Sequence, residues 1–296
     1  EFGFDICGSA LCQLYLGAGR AQTAENGADW AAAVTTTAGR ILLYEGKPAL
    51  AVYHSTAGAT TRSIQDVWGG SALPYLQAVG VPAQDSPFAL WTYDLGLDQF
   101  LAILEADGLT FPAAVTGVST VVTAPGGGQY RVRFQTGAGT VEVTAGRIQS
   151  AMNAQGAALY PSLLPAFRPD GPRYPQAVLS PTFTVGTLAD GVTVRFSGQG
   201  WGHQLGMPQY GAQAMALEGE TTASILNHFY TGLWPTLDPG FLPAEISVGL
   251  AWDRAAVTLR GEWYVLRSPD GVVARGRAAE FPLSAGAGGW VVLASP

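Results

Sequence analysis

Apolar and polar positions alternate with a period of two along much of this chain, the signature of half-buried strands. Gly117–Thr123, Gln129–Phe134 and Gly139–Thr144 alternate in this way and are separated by Gly-rich turns. They predict a three-stranded meander. Ser180–Val185 and Val192–Phe196 predict a hairpin, and Arg40–His54 another, with its turn at Glu45-Gly46-Lys47. A further strand starts at Tyr93. The three-to-four spacing of a helix is clearest over Leu97–Ala106, where Leu97, Phe100, Leu101 and Leu104 share a face. Shorter helices are predicted over Trp30–Gly39, over Ala145–Met152, from Pro208 onward, and over Ala223–Tyr230 with Thr221 or Thr222 as cap. Residues 153–179 carry several prolines and read as irregular. Residues 245–296 read as short strands with turns at Asp253, Gly261, Pro269-Asp-Gly271 and Gly286–Gly289. The expected fold is α+β and β-rich, with a small all-β segment at the C-terminal end.

The strand Val192–Phe196 runs into Ser197-Gly-Gln-Gly-Trp-Gly-His-Gln-Leu-Gly-Met-Pro208, where four glycines surround Trp201 and His203. Glycine lets the backbone take otherwise closed conformations and lets another group come close. Pro208 suits a first helical position. His203 and Trp201 are therefore expected near a helix N-terminus, a place suited to anionic or polar ligands. Upstream, Tyr53-His-Ser-Thr56 delivers hydroxyls into the turn Ala57-Gly-Ala-Thr-Thr61.

Composition narrows the class. Charged residues make up 12% of 296, glycines number 39, and the net charge is −7. Low charge with abundant small residues fits an extracytoplasmic, β-rich protein. The acidic balance argues against nucleic acid or an anionic membrane as partner. No run of about 18 apolar residues suggests a membrane span. The sequence opens at Glu1 without initiator methionine or signal peptide, which points to a processed or truncated chain. The only cysteines, Cys7 and Cys12, could form a local disulfide, stay as thiols, or supply half of a zinc site. No histidine lies near them in sequence; the first is His54.

Two other chemistries fail on context. Gly198-x-Gly200-x-Gly202 follows a strand, but no βαβ unit with its ribose-binding acid follows. Ser55 and His203 lack the Gly-x-Ser-x-Gly elbow of a hydrolase nucleophile. His203 can also be read as a histidine held by loop backbone. Gln209 and Gln213 share a helix face and line a sugar groove or face solvent. Tyr210 reads as a packing anchor with a hydroxyl partner. Trp201 and Trp68 can stack on sugars or be buried, and Ser55, Thr56 and Thr60 can bind sugar hydroxyls or cap a turn. His228, near a helix end, can simply favour the helix dipole.

The chain resembles the SpoIID/LytB family. The resemblance rests on Gly198-Gln-Gly-Trp-Gly-His-Gln-Leu-Gly-Met-Pro-Gln-Tyr-Gly-Ala212 followed by Ile225-Leu-Asn-His-Phe-Tyr230. Gln204 stands where the family signature has glycine, Pro208 where it has serine, and Phe229 where it has tyrosine. Cys7–Tyr15, Ala33–Tyr44, Tyr53–Thr60, Val67-Trp68 and Pro74-Tyr-Leu76 match as well, as do Arg147 and Phe183. The resemblance covers about residues 3–232. It implies a SpoIID-like domain over 1–235, with core 1–109 and 181–235 and an inserted β-meander subdomain at about 110–180. A linker (236–244) and the C-terminal β-domain (245–296) follow.

The resemblance implies peptidoglycan work outside the cytoplasm: secreted, periplasmic or wall-associated. Family members resemble lytic transglycosylases that cut glycan strands lacking stem peptides. One glutamate acts first as acid and then as base, and the sugar's own 6-hydroxyl attacks to leave a 1,6-anhydro end. That glutamate stands in a Pro-x-Glu segment ahead of the position matching Asp5, and the present sequence has none there. The segment is cut away or supplied as a separate N-terminal fragment, or the chain is truncated, or it is a binder that enhances an N-acetylmuramoyl-L-alanine amidase. His203 is the implied assisting residue. Ser55, Thr56, Thr60, Trp201, Gln204, Gln209, Tyr210 and Gln213 are the implied glycan contacts. Leu11 occupies the place where zinc-binding relatives carry a histidine, so no cofactor is expected and Cys7 with Cys12 reads as a disulfide.

Overall fold

A computed structural model describes residues 25–121 and 130–241. It also describes the backbone of strands at 6–7, 248–249 and between 256 and 292. The Cys7 and Cys12 side chains, and with them the disulfide and zinc readings, lie outside the described residues.

Residues 40–238 form one compact unit, and residues 1–39 with 239–296 form another. In chain order, the second unit starts with β1 (Ile6–Cys7) and α1 (Gly27–Thr36). The 40–238 unit contains β2 (Arg40–Tyr44), β3 (Lys47–Pro48), β4 (Tyr53–His54), α2 (Ile64–Val67), β5 (Leu90–Gly96) and α3 (Leu97–Ala106). It continues with β6 (Val115–Val121), β7 (Arg131–Thr136), β8 (Gly139–Thr144) and α4 (Ala145–Leu159). It ends with β9 (Phe183–Thr187), β10 (Thr193–Gln199), β11 (Met207–Pro208), α5 (Gln209–Leu217), α6 (Thr222–Phe229) and β12 (Pro235–Leu237). The chain then returns to the other unit with β13 (Val248–Gly249), which pairs parallel with β1. The strands 256–260, 264–268, 271–276, 280–286 and 289–292 follow, β14 to β18, in sheets ordered β14-β17-β18 and β15-β16. The fold is α+β and β-rich, as the alternation predicts.

Two cores organise the 40–238 unit. The larger is aromatic. Phe196 on β10 stacks on Tyr93 of β5 (5.1 Å between ring centres) and meets Phe100 of α3 edge-on at 5.1 Å. The three-stranded sheet runs β5-β10-β9, all antiparallel. Its inner face alternates Trp91, Tyr93 and Leu95 with Val194 and Phe196, all buried. On α3 the fully buried positions are Phe100, Ile103 and Leu104, a stripe rotated toward Ile103 relative to the expected face.

The meander β6-β7-β8 is present, and Val118, Val132 and Phe134 join this same core. Thr120 on β6 stitches it to β9. Its hydroxyl accepts from the Val185 N–H (2.6 Å) and donates to the Val185 carbonyl (3.1 Å). A side chain here does what a strand neighbour would do.

Three expectations change. The Arg40–His54 hairpin ends early. Its turn holds, with Glu45 and Gly46 both left-handed (φ 51° and 75°) as a two-residue turn demands. But β3 ends at Pro48, with one more bond from the Ala49 N–H to the Leu42 carbonyl (2.9 Å), and the other edge of β2 is taken by β12. The chain leaves, and β4 pairs parallel with β11 instead. The helix from Ala145 runs on to Leu159. The irregular segment after it is tightly packed: Leu164, Val178 and Leu179 are buried, and the Asn153 amide holds Val178 by both its N–H (2.9 Å) and its carbonyl (3.0 Å). Finally, Pro208 is the residue before α5 rather than its first. The smaller core gathers Leu42, Tyr75, Leu76, Ile225, Phe229 and Tyr230, and the Tyr230 hydroxyl donates to the Val52 carbonyl at 2.9 Å.

Candidate functional site

The segments 53–62 and 200–210 fold onto each other. Thr56 and Trp201 exchange two backbone hydrogen bonds (3.1 and 2.8 Å). Arg62 donates its N–H to the Gln204 carbonyl (2.8 Å) and Tyr210 to that of Ser55 (3.1 Å). The glycines make the approach possible. A Cβ on Gly202, which sits at φ 110°, would lie 2.6 Å from the Cβ of His54. Gln204 takes a left-handed φ of 71°. That conformation is easiest for glycine. Here the side chain is used: its Nε2 donates to the Thr56 carbonyl at 2.9 Å.

This pairing brings His54 and His203 together, ring centres 5.3 Å apart. The Leu205 N–H donates to Nδ1 of His203 (3.0 Å), so that nitrogen carries no proton and Nε2 does. Nδ1 of His54 donates to the Leu205 carbonyl (3.0 Å), so its proton sits there. Nε2 of His54 is buried without a hydrogen-bond partner among the described residues. Burial is the main force on both rings. It drives His54 down to about 3, helped by repulsion from His203 and opposed by the Leu205 carbonyl. It also lowers His203, against a hydrogen bond with the Tyr53 backbone. Both imidazoles are neutral at pH 7, and His203 cannot gain a proton on Nδ1 without breaking its bond to Leu205.

His203 faces a cleft of about 340 Å³. One wall is α2 and its flanks, with Arg62, Asp66 and Trp68; the other is Tyr130 and the start of α4, with Arg147, Gln149 and Ser150. The Trp68 ring, about half exposed, lies 5.4 Å from that of His203. The Arg62 guanidinium lies over the Tyr130 ring at 4.6 Å. Arg147 is anchored by Asp107, through its carboxylate and its carbonyl (2.7 Å for the latter).

Of the residues singled out in the sequence, His203 and Trp68 line this cleft, and the other expected contacts do not. Thr56 and Gln204 are 0% and 1% exposed, which leaves no surface for a ligand. Thr56 spends its hydroxyl on Ser86 (2.7 Å), and Ser55 sits beside it. Trp201 packs edge-on against Phe88 at 4.8 Å and donates to Gln176 at 3.3 Å. Thr60 is exposed and bridges to Gly80. Gln209 and Gln213 are exposed on α5, with Tyr210 half-buried between them. The residues sequence reasoning passed over as site residues are Arg62, Asp66, Tyr130 and Arg147. They belong to three separate stretches, Arg62 with Asp66, then Tyr130, then Arg147, and carry no common spacing. Among the described residues, no cluster of His, Cys, Asp or Glu is placed to hold a metal ion, and no helix is long and apolar enough to cross a membrane.

No family model matches the chain. Curated relatives do. It is 29% identical over 202 residues to the stage II sporulation protein D of Bacillus amyloliquefaciens, and 28% over 203 residues to that of Bacillus subtilis (strain 168). Each alignment covers 68% of this chain and 49% of the relative. The amidase enhancer of Bacillus subtilis is 24% identical over 248 residues, covering 68% of this chain and 31% of that protein. The chain thus spans about half the length of the sporulation proteins it matches, and less of the enhancer. These curated homologues support placing the chain in the SpoIID/LytB family.

Proposed function

We propose that this protein remodels the bacterial cell wall, and that the cleft beside His203 holds a peptidoglycan glycan strand lacking stem peptides. The names of the homologues support a cell-wall role. The observation that carries the finer reading is Trp68, half exposed in a cleft whose lining also includes two arginines, Asp66, Tyr130, His203 and the polar side chains of Thr144, Gln149 and Ser150. A sugar ring has apolar C–H faces and a polar rim. It suits an aromatic plate beside hydrogen-bond donors.

The lytic transglycosylase reading needs a carboxylic acid to protonate the glycosidic oxygen and then take the proton of the 6-hydroxyl. Of the residues that line the cleft, Asp66 is the one carboxylate. The reading assigns proton transfer to a glutamate upstream of the described residues. His203, with both nitrogens held by backbone, assists by shaping the wall. The amidase enhancer among the relatives favours a second reading, a non-catalytic binder that presents strands to an amidase.

One experiment separates these. Purified protein is mixed with denuded glycan, and retention, chain ends and amidase-driven peptide release from intact wall are followed. Retention with new 1,6-anhydro ends is the transglycosylase outcome. Retention without new ends, with faster peptide release, is the enhancer outcome. No retention contradicts both.

A further inference from the structure

We propose that the outer face of the β5-β10-β9 sheet is a second binding surface, which takes the sugars of a strand that continue beyond the His203 cleft. The proposal rests on the glycan reading of the cleft and adds that the ligand is held as an extended chain. Its starting point is a second hollow, of about 260 Å³, over this sheet. Tyr130 lines both the cleft and the hollow, so a ligand leaving one enters the other. The second hollow in turn meets a third, of about 410 Å³, at Leu90 and Gln199, which line both. Recesses joined in series by shared residues suit a polymer better than a single small molecule.

The alternation of the strands sets what this face offers. Trp91 and Tyr93 are buried in the core, so Leu90 and Thr92 face outward, with Leu90 74% exposed. The antiparallel register puts Thr92 opposite Ser197 and Ser197 opposite Thr184, a row of hydroxyls across three strands. With strands about 4.8 Å apart the row spans about 10 Å, more than one sugar ring. Its internal hydrogen bonds are long, 3.4 Å from the Thr92 hydroxyl to that of Ser197 and 3.4 Å from the Thr184 hydroxyl to the Ser197 carbonyl. Bonds of that length are weak and leave each hydroxyl with bonding capacity to spare. One row further on, Gln199 stands opposite Leu90. Its exposed side-chain amide lies against Gly58, in the space a Cβ there would take.

A solvated sheet face is polar by default, so polarity alone names no ligand. The lack of charge does. Among the described residues, no Asp, Glu, Lys or Arg lines the second or the third hollow. The charges in the row beyond the hydroxyls, Arg195 and Asp94, are spent on each other through two bonds of 2.7 and 2.6 Å. A nucleic acid or a charged peptide would call for opposite charges here. Hydroxyls and a side-chain amide each donate and accept. With Leu90 as an apolar contact beside them, they match the hydroxyl groups, acetamido groups and C–H faces of an uncharged sugar backbone.

The test is calorimetric titration of the natural chain with a disaccharide and an octasaccharide cut from the same denuded glycan. The octasaccharide is expected to bind at least ~10-fold more tightly, the effect of a few added hydrogen bonds. A longer chain also offers more ways to occupy the cleft alone, and variants of the sheet face separate the two causes. Thr92→Ala combined with Thr184→Ala removes two exposed hydroxyls, and the ratio of the two affinities should fall toward one. Gln199→Ala should lower the ratio in the same direction. Equal affinity of the natural chain for the two lengths, or a ratio that survives in these variants, overturns the proposal and leaves the glycan reading of the cleft intact. No binding of either length sinks the glycan reading and the proposal with it. Should one variant fail to fold, the other still decides.

Discussion

His54 and His203 are tied to each other through one residue: Leu205 gives its N–H to Nδ1 of His203 and its carbonyl to Nδ1–H of His54, both at 3.0 Å. A single peptide segment thereby fixes the proton position on two rings. The loop is built around two neutral imidazoles, and acid should undo it.

The sign follows from His54, whose folded value of about 3 lies below the ordinary 6.5. Between those values the unfolded chain takes up a proton that the folded chain refuses. Stability is thus fully present above pH 6.5 and is lost as pH falls toward about 3, at about 1.4 kcal/mol per pH unit. His203, also lowered, contributes with the same sign. In His54→Asn the side-chain amide can still donate to Leu205 but cannot titrate. Urea unfolding from pH 7 to pH 4 should show the natural chain's advantage over this variant shrinking. Parallel stability curves would contradict the account.

Gly202 is closed to any side chain. A Cβ there would sit 2.6 Å from that of His54, at a φ of 110°. Gly202→Ala should cost about 3 kcal/mol through combined strain and overlap, or about 6–12 °C in a domain of this size. Gly69 provides the control, since it has a φ of 76° but nothing within 4 Å. Gly69→Ala should cost only about 1 kcal/mol, the strain alone. Equal losses at the two sites would mean that the His54 contact is unimportant.

Thr120 joins the meander to β9 by satisfying both backbone groups of Val185. Thr120→Val keeps the shape and removes both bonds, leaving a backbone N–H without its partner. A loss of about 2 kcal/mol is expected, with hydrogen exchange at Val185 accelerated. Unchanged exchange at that amide would show that the stitch is not needed.

The parts legible in the sequence are those with a period. Alternation gave the strands of β5, β9, β10 and the meander, and the three-to-four spacing gave α3. The Gly198–Ala212 motif marked the loop that holds His203. The pairing of β4 with β11 was not legible, because two-residue strands far apart in the chain leave no periodic signal. Thr56 and Gln204 misled for a physical reason. Their polar groups read as ligand contacts, but a loop that brings backbone so close buries carbonyls and hydroxyls that must be paired. Gln204 takes up the Thr56 carbonyl, and Ser86 takes up the Thr56 hydroxyl. The second wall of the cleft, Tyr130 with Arg147, comes from the residue just before β7 and from the start of α4. It shares no spacing with the motif it faces.

Trp68 tests the central claim most directly, because it lies in the cleft yet is 52% exposed and helps little to hold the fold. The measurement is calorimetric titration of denuded glycan into the natural chain and into Trp68→Ala, with thermal unfolding of both. Loss of one stacking aromatic should weaken binding about 10-fold, near 1.4 kcal/mol, with the unfolding midpoint moved by less than about 2 °C. Glycan binding of equal strength in the two proteins would contradict the assignment of this cleft as the glycan site.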